Sequence, residues 1–308
     1  MKNGNDNEIV VSAALRKAGE IWRAFSGNGL SRASTTGFKK RMTGLIEKAG
    51  KEAFVSLSVK NGRVRWFWVS KVVPDDFHGR IILAAPFLAD AAAIRSGALD
   101  RICAEARRFH SASRLKIQIR LAQSDKKLIP ALVSRGFRVN MYLLSGLISD
   151  SLGCLRGLPA LPAGLKLRKI DMGREHGAYL RLLVRAHKSE STSTMCHMSP
   201  ARIRAVFNKH KKNDRRRVSY AIYDRSKLAG AVTISIEKYT RKTGLLVTIA
   251  ILPEYQGLGL SKHLYRAALL WLKAGGVCRY VGSTSTTAVM DMARKMRRSV
   301  ASTALMQG

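Results

Sequence analysis

The sequence is poor in carboxylates. Its 308 residues hold 20 Asp and Glu against 55 Lys and Arg, a formal net charge of +35. The excess of cations runs through both halves, so the chain repels itself and attracts polyanions: nucleic acid, an anionic membrane surface or phosphate-bearing ligands. Cysteine is scarce as well. Cys103, Cys154, Cys196 and Cys278 form no CxxC pair, which argues against a cysteine metal site and suits a reducing compartment. No metal is expected. Long apolar runs are missing too. The longest, IILAAPFLADAAAI, is interrupted by Pro86 and Asp90 and is too short to cross a bilayer. The opening MKNGNDNEIVVSAAL carries Asp6 and Glu8 and lacks the shape of a signal peptide. The expectation is a cytoplasmic protein without a transmembrane segment.

What is present points to two α/β domains. Residues 151–164, SLGCLRGLPALPAG, gather three glycines and two prolines and read as a linker between domains at 1–150 and 165–308. Each side of it ends in the same order of elements. In the first half these are a helix over 99–109, a strand over 114–121, a helix over 125–137 and a strand over 138–148. In the second half the corresponding stretches are 261–275, 278–283, 286–298 and 299–306. Phe109 to Ile117 is eight residues and Trp271 to Tyr280 is nine, an internal repeat of long period. Before it, VSYAIYD (218–224), LAGAVTISIEKY (228–239) and LLVTIAIL (245–252) read as an antiparallel meander, the last strand central because it is apolar on both faces. Helices are expected at 173–188 and 199–210, the second capped by Ser199 with Pro200 at its first position.

The segment ILPEYQGLGLSKHLYRAALLWL (251–272) carries the chemistry. Pro253 ends a strand. Gly257 and Gly259 let backbone approach a ligand without a Cβ in the way. Leu260, Leu264, Ala267, Ala268, Trp271 and Leu272 are spaced to face a core, leaving the helix N-terminus outward. A strand, a glycine turn and a helix N-terminus form an anion cradle suited to a pyrophosphate. The Walker pattern is absent, and Lys262 stands where the dinucleotide pattern needs glycine.

PEYQGLGLS resembles the acyl-CoA loop of the GNAT superfamily of N-acyltransferases. That pattern is Gln or Arg, two residues, Gly, one residue, then Gly or Ala; Gln256, Gly259 and Ser261 take the three defined positions, Ser261 departing from the usual residue. The resemblance covers 165–308 well and 1–150 in outline. It implies two tandem GNAT-like domains, each a mixed, mostly antiparallel sheet flanked by helices. It also implies acetyl-CoA or another acyl-CoA as co-substrate and an amine as acceptor. By position, backbone of Ile249, Ile251 and Leu252 would meet the thioester and pantetheine amides. Gln256, Gly257, Leu258, Gly259, Leu260 and Ser261 would hold the diphosphate. IRSGALDRI (94–102) is the matching place in the first domain. There Gly97 matches Gly259, but Ile94, Arg95 and Leu99 replace Gln256, Gly257 and Ser261, so this copy reads as degenerate.

Groups that move protons are harder to find. The strand LLVTIAIL contains no Glu, and Glu237 on the preceding strand is the nearest choice for a base. Glu190 and His197 lie in a polar loop, SESTSTMCHMS (189–199), where the acceptor side is expected. The helix 286–298 has none of the tyrosine the family often uses against the departing thiolate, and Tyr280 reads as core. Ser283, with Thr284 and Ser285, is the candidate for holding a water or the co-substrate. The basic tract KHKKNDRRR (209–217) reads as a solvated loop, with phosphate steering or nucleic-acid binding as the other reading, and WFW (66–68) as strand core plus one exposed ring, with a base-stacking platform as the other reading. The function expected is transfer of an acetyl or longer acyl group to an amine. The alternative is an inactive GNAT-fold basic module bound to nucleic acid or another polyanion.

Overall fold

The computed structural model describes residues 8–16, 36, 43, 53–61, 63–75, 78–111, 114–208, 216–237 and 243–308. The chain falls into two compact units. One comprises Met1–Tyr142 and Val300–Gly308, the other Leu143–Ser299.

In the first unit, strands β1 (Phe54–Lys60), β2 (Arg63–Asp75) and β3 (Gly79–Ala89) make an antiparallel meander. Short helix α1 (Ala91–Arg95) and α2 (Ala98–Phe109) lead to β4 (Ile117–Ala122), which runs parallel to β3. A 3-10 turn at Gln123–Leu128 and α3 (Ile129–Val133) precede β5 (Phe137–Leu147), whose first residues belong to this unit. The sequence suggests one helix over 125–137, and the structure breaks it. Pro130 sits in the first turn of α3 and has no N–H for a carbonyl four residues back, so the helix starts afresh there. Leu99, Ile102, Cys103 and Ala106 of α2 bury against Trp68, Ile82, Ile117, Ile119 and Leu121. Phe67 and Trp68 are buried, and Trp66 is half-buried and donates to Ser56 Oγ at 3.2 Å, so WFW is strand core with its first ring half-buried rather than exposed.

The second unit begins within β5 and continues through α4 (Ile148–Gly153), β6 (Leu165–Lys169), α5 (His176–Ser189) and α6 (Pro200–Asn208). Ser199 Oγ accepts from Arg202 N at 3.3 Å, the expected cap. Then come β7 (Arg217–Asp224), β8 (Lys227–Ile236) and β9 (Thr243–Ile251), antiparallel in turn, with β6 antiparallel to β7. Helix α7 (Leu260–Ala274), β10 (Arg279–Thr284) and α8 (Thr287–Lys295) follow, with β10 parallel to β9. Each unit thus builds a meander that ends in a parallel pair. Strand β11 (Ser299–Gln307) pairs antiparallel with β4 and returns the chain to the first unit.

The compact units therefore divide elsewhere than residues 151–164. Leu152, Leu155, Leu158 and Leu161 recur every three residues through that stretch and pack into the second unit's core. Its glycines and prolines shape turns while its leucines bury. The basic tract at 209–215 lies outside the described residues. Among the described residues no helix is long and apolar enough to cross a membrane.

Two polar clusters fix the second unit internally. Tyr179 of α5 reaches Thr233 Oγ1 of β8 at 2.7 Å, and Ser219 Oγ of β7 meets the same oxygen at 2.7 Å. All three side chains are buried. Tyr179→Phe should lower the unfolding free energy by about 1 kcal/mol, the net worth of one buried hydrogen bond, read by urea denaturation.

At the β6–α5 corner, Arg168 grips Glu175 through two bonds of 2.8 Å and lies 3.8 Å over the Tyr223 ring. Tyr223 Oη donates to Glu175 as well, at 2.9 Å. The Arg168 bond, helped by the Asp171 amide and Tyr223, holds the Glu175 carboxyl down from 4.5 to about 2. A depressed carboxyl stabilises the fold above its unfolded value and loses that contribution as pH falls toward its folded value. The stability difference between wild type and Glu175→Gln should be present at pH 7 and vanish between about pH 4.5 and 2. Unfolding curves across that range test it.

Candidate active site

Strands β9 and β10 pair only through Arg279–Val281 and Thr243–Leu245. Beyond Leu245 and Val281, β9 runs on to Ile251 and β10 to Thr284 without pairing to each other. On the other side of β9 the register with β8 slips. Thr233 faces Thr248 while Ile234 faces Leu246, so Val247 is an extra residue. A bulge bends the strand that carries it, and here the bend lies where the parallel partner is lost. The result is a gap between two strands of one sheet.

Which groups face the gap follows from alternation. Leu252 N donates to Ala229 O of β8 at 2.9 Å. Amides two and four residues earlier, at Ala250 and Thr248, then also face β8, and those of Ile249 and Ile251 face away from it, toward the gap. The Leu252 amide is committed to the sheet, which removes it from the donors expected for a thioester carrier. Proline at 253 ends the strand only after that last bond is made.

A 3-10 turn, Pro253–Tyr255, carries the chain from β9 to the glycines. Gly257 has φ +81° and Gly259, the N-cap of α7, has φ +72° with ψ 8°. Both lie in the left-handed region, where a side chain costs energy. A Cβ at either would meet nothing within 4 Å, so the turn borders open space. Among the described residues, no backbone or side-chain acceptor takes the amides of residues 257–261. Leu258 is 51% exposed. Leu260 is buried, anchoring the helix, and Ser261 is partly buried. Gln256 Nε2 donates to Ile251 O at 3.4 Å, on the gap side of β9.

The surroundings are cationic. The first turn of α7 holds no acidic residue. His263 is pushed below its ordinary pKa by partial burial and then by Arg266 and Lys262. Tyr255 Oη donates to Asp224 Oδ2 at 2.8 Å, and Arg185 Nη1 lies 2.8 Å from Glu254 Oε1. The two carboxylates beside the turn are therefore both held by side chains.

The first unit has the same backbone device with a different occupant. Gly97 is the N-cap of α2 at φ +79° and ψ 1°, almost the conformation of Gly259. Yet Asp100 stands in the first turn and pairs with Arg135 at 2.8 Å, and Arg135 also donates to Arg95 O. The chain's own charges thus cover this helix start.

The residues expected to move protons are scattered. Glu237 follows the end of β8, with its N bonded to Thr243 O at 2.8 Å and its side chain buried. Thr243 is six residues from Ile249, roughly 20 Å at the rise of a strand, so Glu237 does not meet the gap amides. Ser283 is exposed on β10, the second wall of the gap. Its neighbour Ser285 accepts from Thr194 N and donates to Thr192 O, both at 3.3 Å. That ties the polar loop 190–199 to the end of β10. Glu190 accepts from Thr192 Oγ1 at 2.6 Å and His197 is exposed. Tyr280 is buried with its Oη 2.9 Å from Ser151 Oγ, a core residue as expected.

His187 escaped the sequence reading. It stacks on Phe207 at 5.5 Å and 9°, and its Nδ1 lies 3.2 Å from Ser193 Oγ. Burial pushes its pKa to about 4 despite Glu190 nearby, so it is a neutral anchor for the 190–199 loop. Nothing in the spacing of a lone histidine on a helix marks this. All four cysteines are free, and no group of three His, Cys, Asp or Glu lies together among the described residues.

Residues 183–296 match the family model described as acetyltransferase (GNAT) family. A search of curated proteins finds no relative by sequence. Among solved structures the chain is similar to a GCN5-related N-acetyltransferase from Sphaerobacter thermophilus, at 14% identity and TM-score 0.59, covering 96% of this chain and 91% of that one. It is also similar to a functionally unknown conserved protein from Staphylococcus epidermidis, at 11% identity and TM-score 0.53, over 82% and 94% of the two chains. A third likeness is to a GCN5-related glucosamine N-acetyltransferase region of a fungal multi-domain beta-N-acetylglucosaminidase, at 13% identity and TM-score 0.50, over 99% of this chain and 37% of that one. These likenesses are of fold.

Proposed function

We propose, from the match of residues 183–296 to the acetyltransferase (GNAT) family model, that the protein transfers an acetyl or longer acyl group from CoA to an amine by direct attack within a ternary complex. One observation carries this reading: the gap between β9 and β10 opens beside a turn whose amides are unpaired.

The residues fit an acyl-CoA in two places. Amides of Gly257 to Ser261, at the positive end of the α7 dipole, suit a diphosphate. Ile249 and Ile251 offer amides along the gap for the pantetheine arm and the thioester oxygen. Donors placed where negative charge develops lower the barrier to acyl transfer. The thioester supplies an activated carbonyl and a thiolate leaving group. Ser283 lies on the opposite wall and is exposed, placed to hold a water that relays protons. The 190–199 loop, pinned by Ser285, forms the acceptor side. In the first unit, the Arg95–Asp100–Arg135 cluster supports a stoichiometry of one acyl-CoA per chain.

Calorimetric titration with acetyl-CoA and a longer acyl-CoA tests the proposal. One site per chain is expected, followed by thiol release when an amine panel is added. Absence of heat from both ligands would remove the acyl-CoA reading.

A further inference from the structure

Arg185 stands on the outer side of α5 with 62% of its side chain exposed, and its one ion pair among the described residues is with Glu254, itself 42% exposed. Glu254 lies three residues before Gly257, in the 3-10 turn that opens the cradle. Arg181, Arg185 and Lys188 follow each other at four and three residues along α5 and are all exposed, so they share one face. Lys188 Nζ is occupied by Cys196 O at 2.6 Å and Met198 O at 3.4 Å. Arg185 is therefore the cation of this ridge that the turn's own carboxylate draws to the cradle rim.

An exposed pair of this kind is weak, because water screens it and two long side chains must be ordered to hold it. A phosphate offers more. It carries more charge than a carboxylate, and a guanidinium binds it with two parallel N–H bonds. Glu254 also sits where an arriving polyanion would meet repulsion, while Asp224, the other carboxylate beside the turn, is held by Tyr255.

We infer that Arg185 is a phosphate-binding residue for acyl-CoA, held ready at the cradle by Glu254 and transferred from that carboxylate to a ligand phosphate on binding. This rests on the acyl-CoA reading of the site. The pair does two things at once: it masks the acidic side chain that Tyr255 leaves uncovered next to the cradle, and it keeps a long, mobile cation from sampling solvent.

Calorimetry at low salt on four proteins tests it: wild type, Arg185→Ala, Glu254→Gln and the double variant. Arg185→Ala should weaken acetyl-CoA binding about tenfold, the loss of one charge-assisted contact. Glu254→Gln should tighten it about twofold to threefold by removing the competing carboxylate. In the Glu254→Gln background the loss from Arg185→Ala should persist. If it disappears there, Arg185 only neutralises Glu254 and the inference is overturned. Equal binding by wild type and Arg185→Ala overturns it too, while leaving the acyl-CoA reading intact. A wild type that binds no acetyl-CoA overturns both. Repeating the titrations with 3′-dephospho-CoA locates the contact: a loss that remains places Arg185 on the diphosphate, and one that vanishes places it on the 3′-phosphate. Thermal midpoints should stay unchanged, because both side chains are exposed.

Discussion

Gly259→Trp is expected to weaken acetyl-CoA binding by about a hundredfold or more, the loss of at least two charge-assisted amide bonds. The same change at Gly97 should leave binding as it is. The comparison isolates function from strain. Both glycines are helix N-caps, at φ +72° and +79° with ψ 8° and 1°. A Cβ at either meets nothing within 4 Å. Each tryptophan therefore costs a similar amount of folding free energy, on the order of 1–2 kcal/mol for a left-handed residue. Only at Gly259 does the indole enter space lined by unpaired amides. At Gly97 it enters a place where Asp100 and Arg135 already answer each other. Calorimetry measures the binding and urea denaturation the strain. Equal losses at the two positions, or none at Gly259, would sink the assignment of the cradle.

The element order was legible in the sequence because its signals are local. The meander followed from apolar alternation, α7 from a proline stop, two glycines and an amphipathic run. The face of α7 was nearly right. Leu260, Leu264, Ala268 and Leu272 are buried as spaced, but Tyr265 and Leu269 are buried where Ala267 and Trp271 were expected. Tyr265 was missed because its phenol looks like a reason for exposure, while in the structure Arg298 Nη1 donates to it at 3.4 Å. The bulge at Val247 could not be read from β9 alone, since it is a mismatch with β8. The partnership of β11 with β4 joins residues about 180 positions apart, and no local pattern specifies it. Within the candidate site, the turn was legible and the proton-moving groups were not. A glycine turn is a property of consecutive residues, whereas a base is defined by which distant carboxylate the fold brings near. Glu237 looked close because it lies on the adjacent strand, but the hairpin register sets it beside Thr243, at the far end of β9.

The largest loss of stability is expected from Arg298→Ala, about 3 kcal/mol, measured by urea denaturation. Arg298 is 6% exposed and no carboxylate pairs with it among the described residues. Nη2 donates instead to Leu144 O at 3.1 Å and Gly282 O at 3.4 Å, Nη1 to Tyr265 Oη, and the guanidinium lies 4.8 Å from the Tyr280 ring centroid. Carbonyl dipoles and a ring face thus take the role of a counter-ion. Packing is tight: a Cβ on Gly146 would come within 2.9 Å of Arg298 Cγ, and one on Gly282 within 3.2 Å of Nη2. Two effects oppose each other on substitution. Removing the cation relieves the cost of burying a charge, while alanine leaves a cavity and strips two carbonyls and a phenol of their donor. The second should win, since the guanidinium already has several polar partners. Arg298→Met separates the contributions, because it fills the space without donating. Its cost should be about half that of alanine if the cavity and the lost hydrogen bonds weigh alike. A methionine variant as stable as wild type would show that volume alone matters there. An alanine variant as stable as wild type would mean that the buried charge costs as much as its contacts return. Arg298 Nη2 also holds Gly282 O of β10, so Arg298 braces the strand that forms one wall of the gap. Loss of that brace should lower acyl-CoA affinity in the alanine variant even at temperatures where it remains folded.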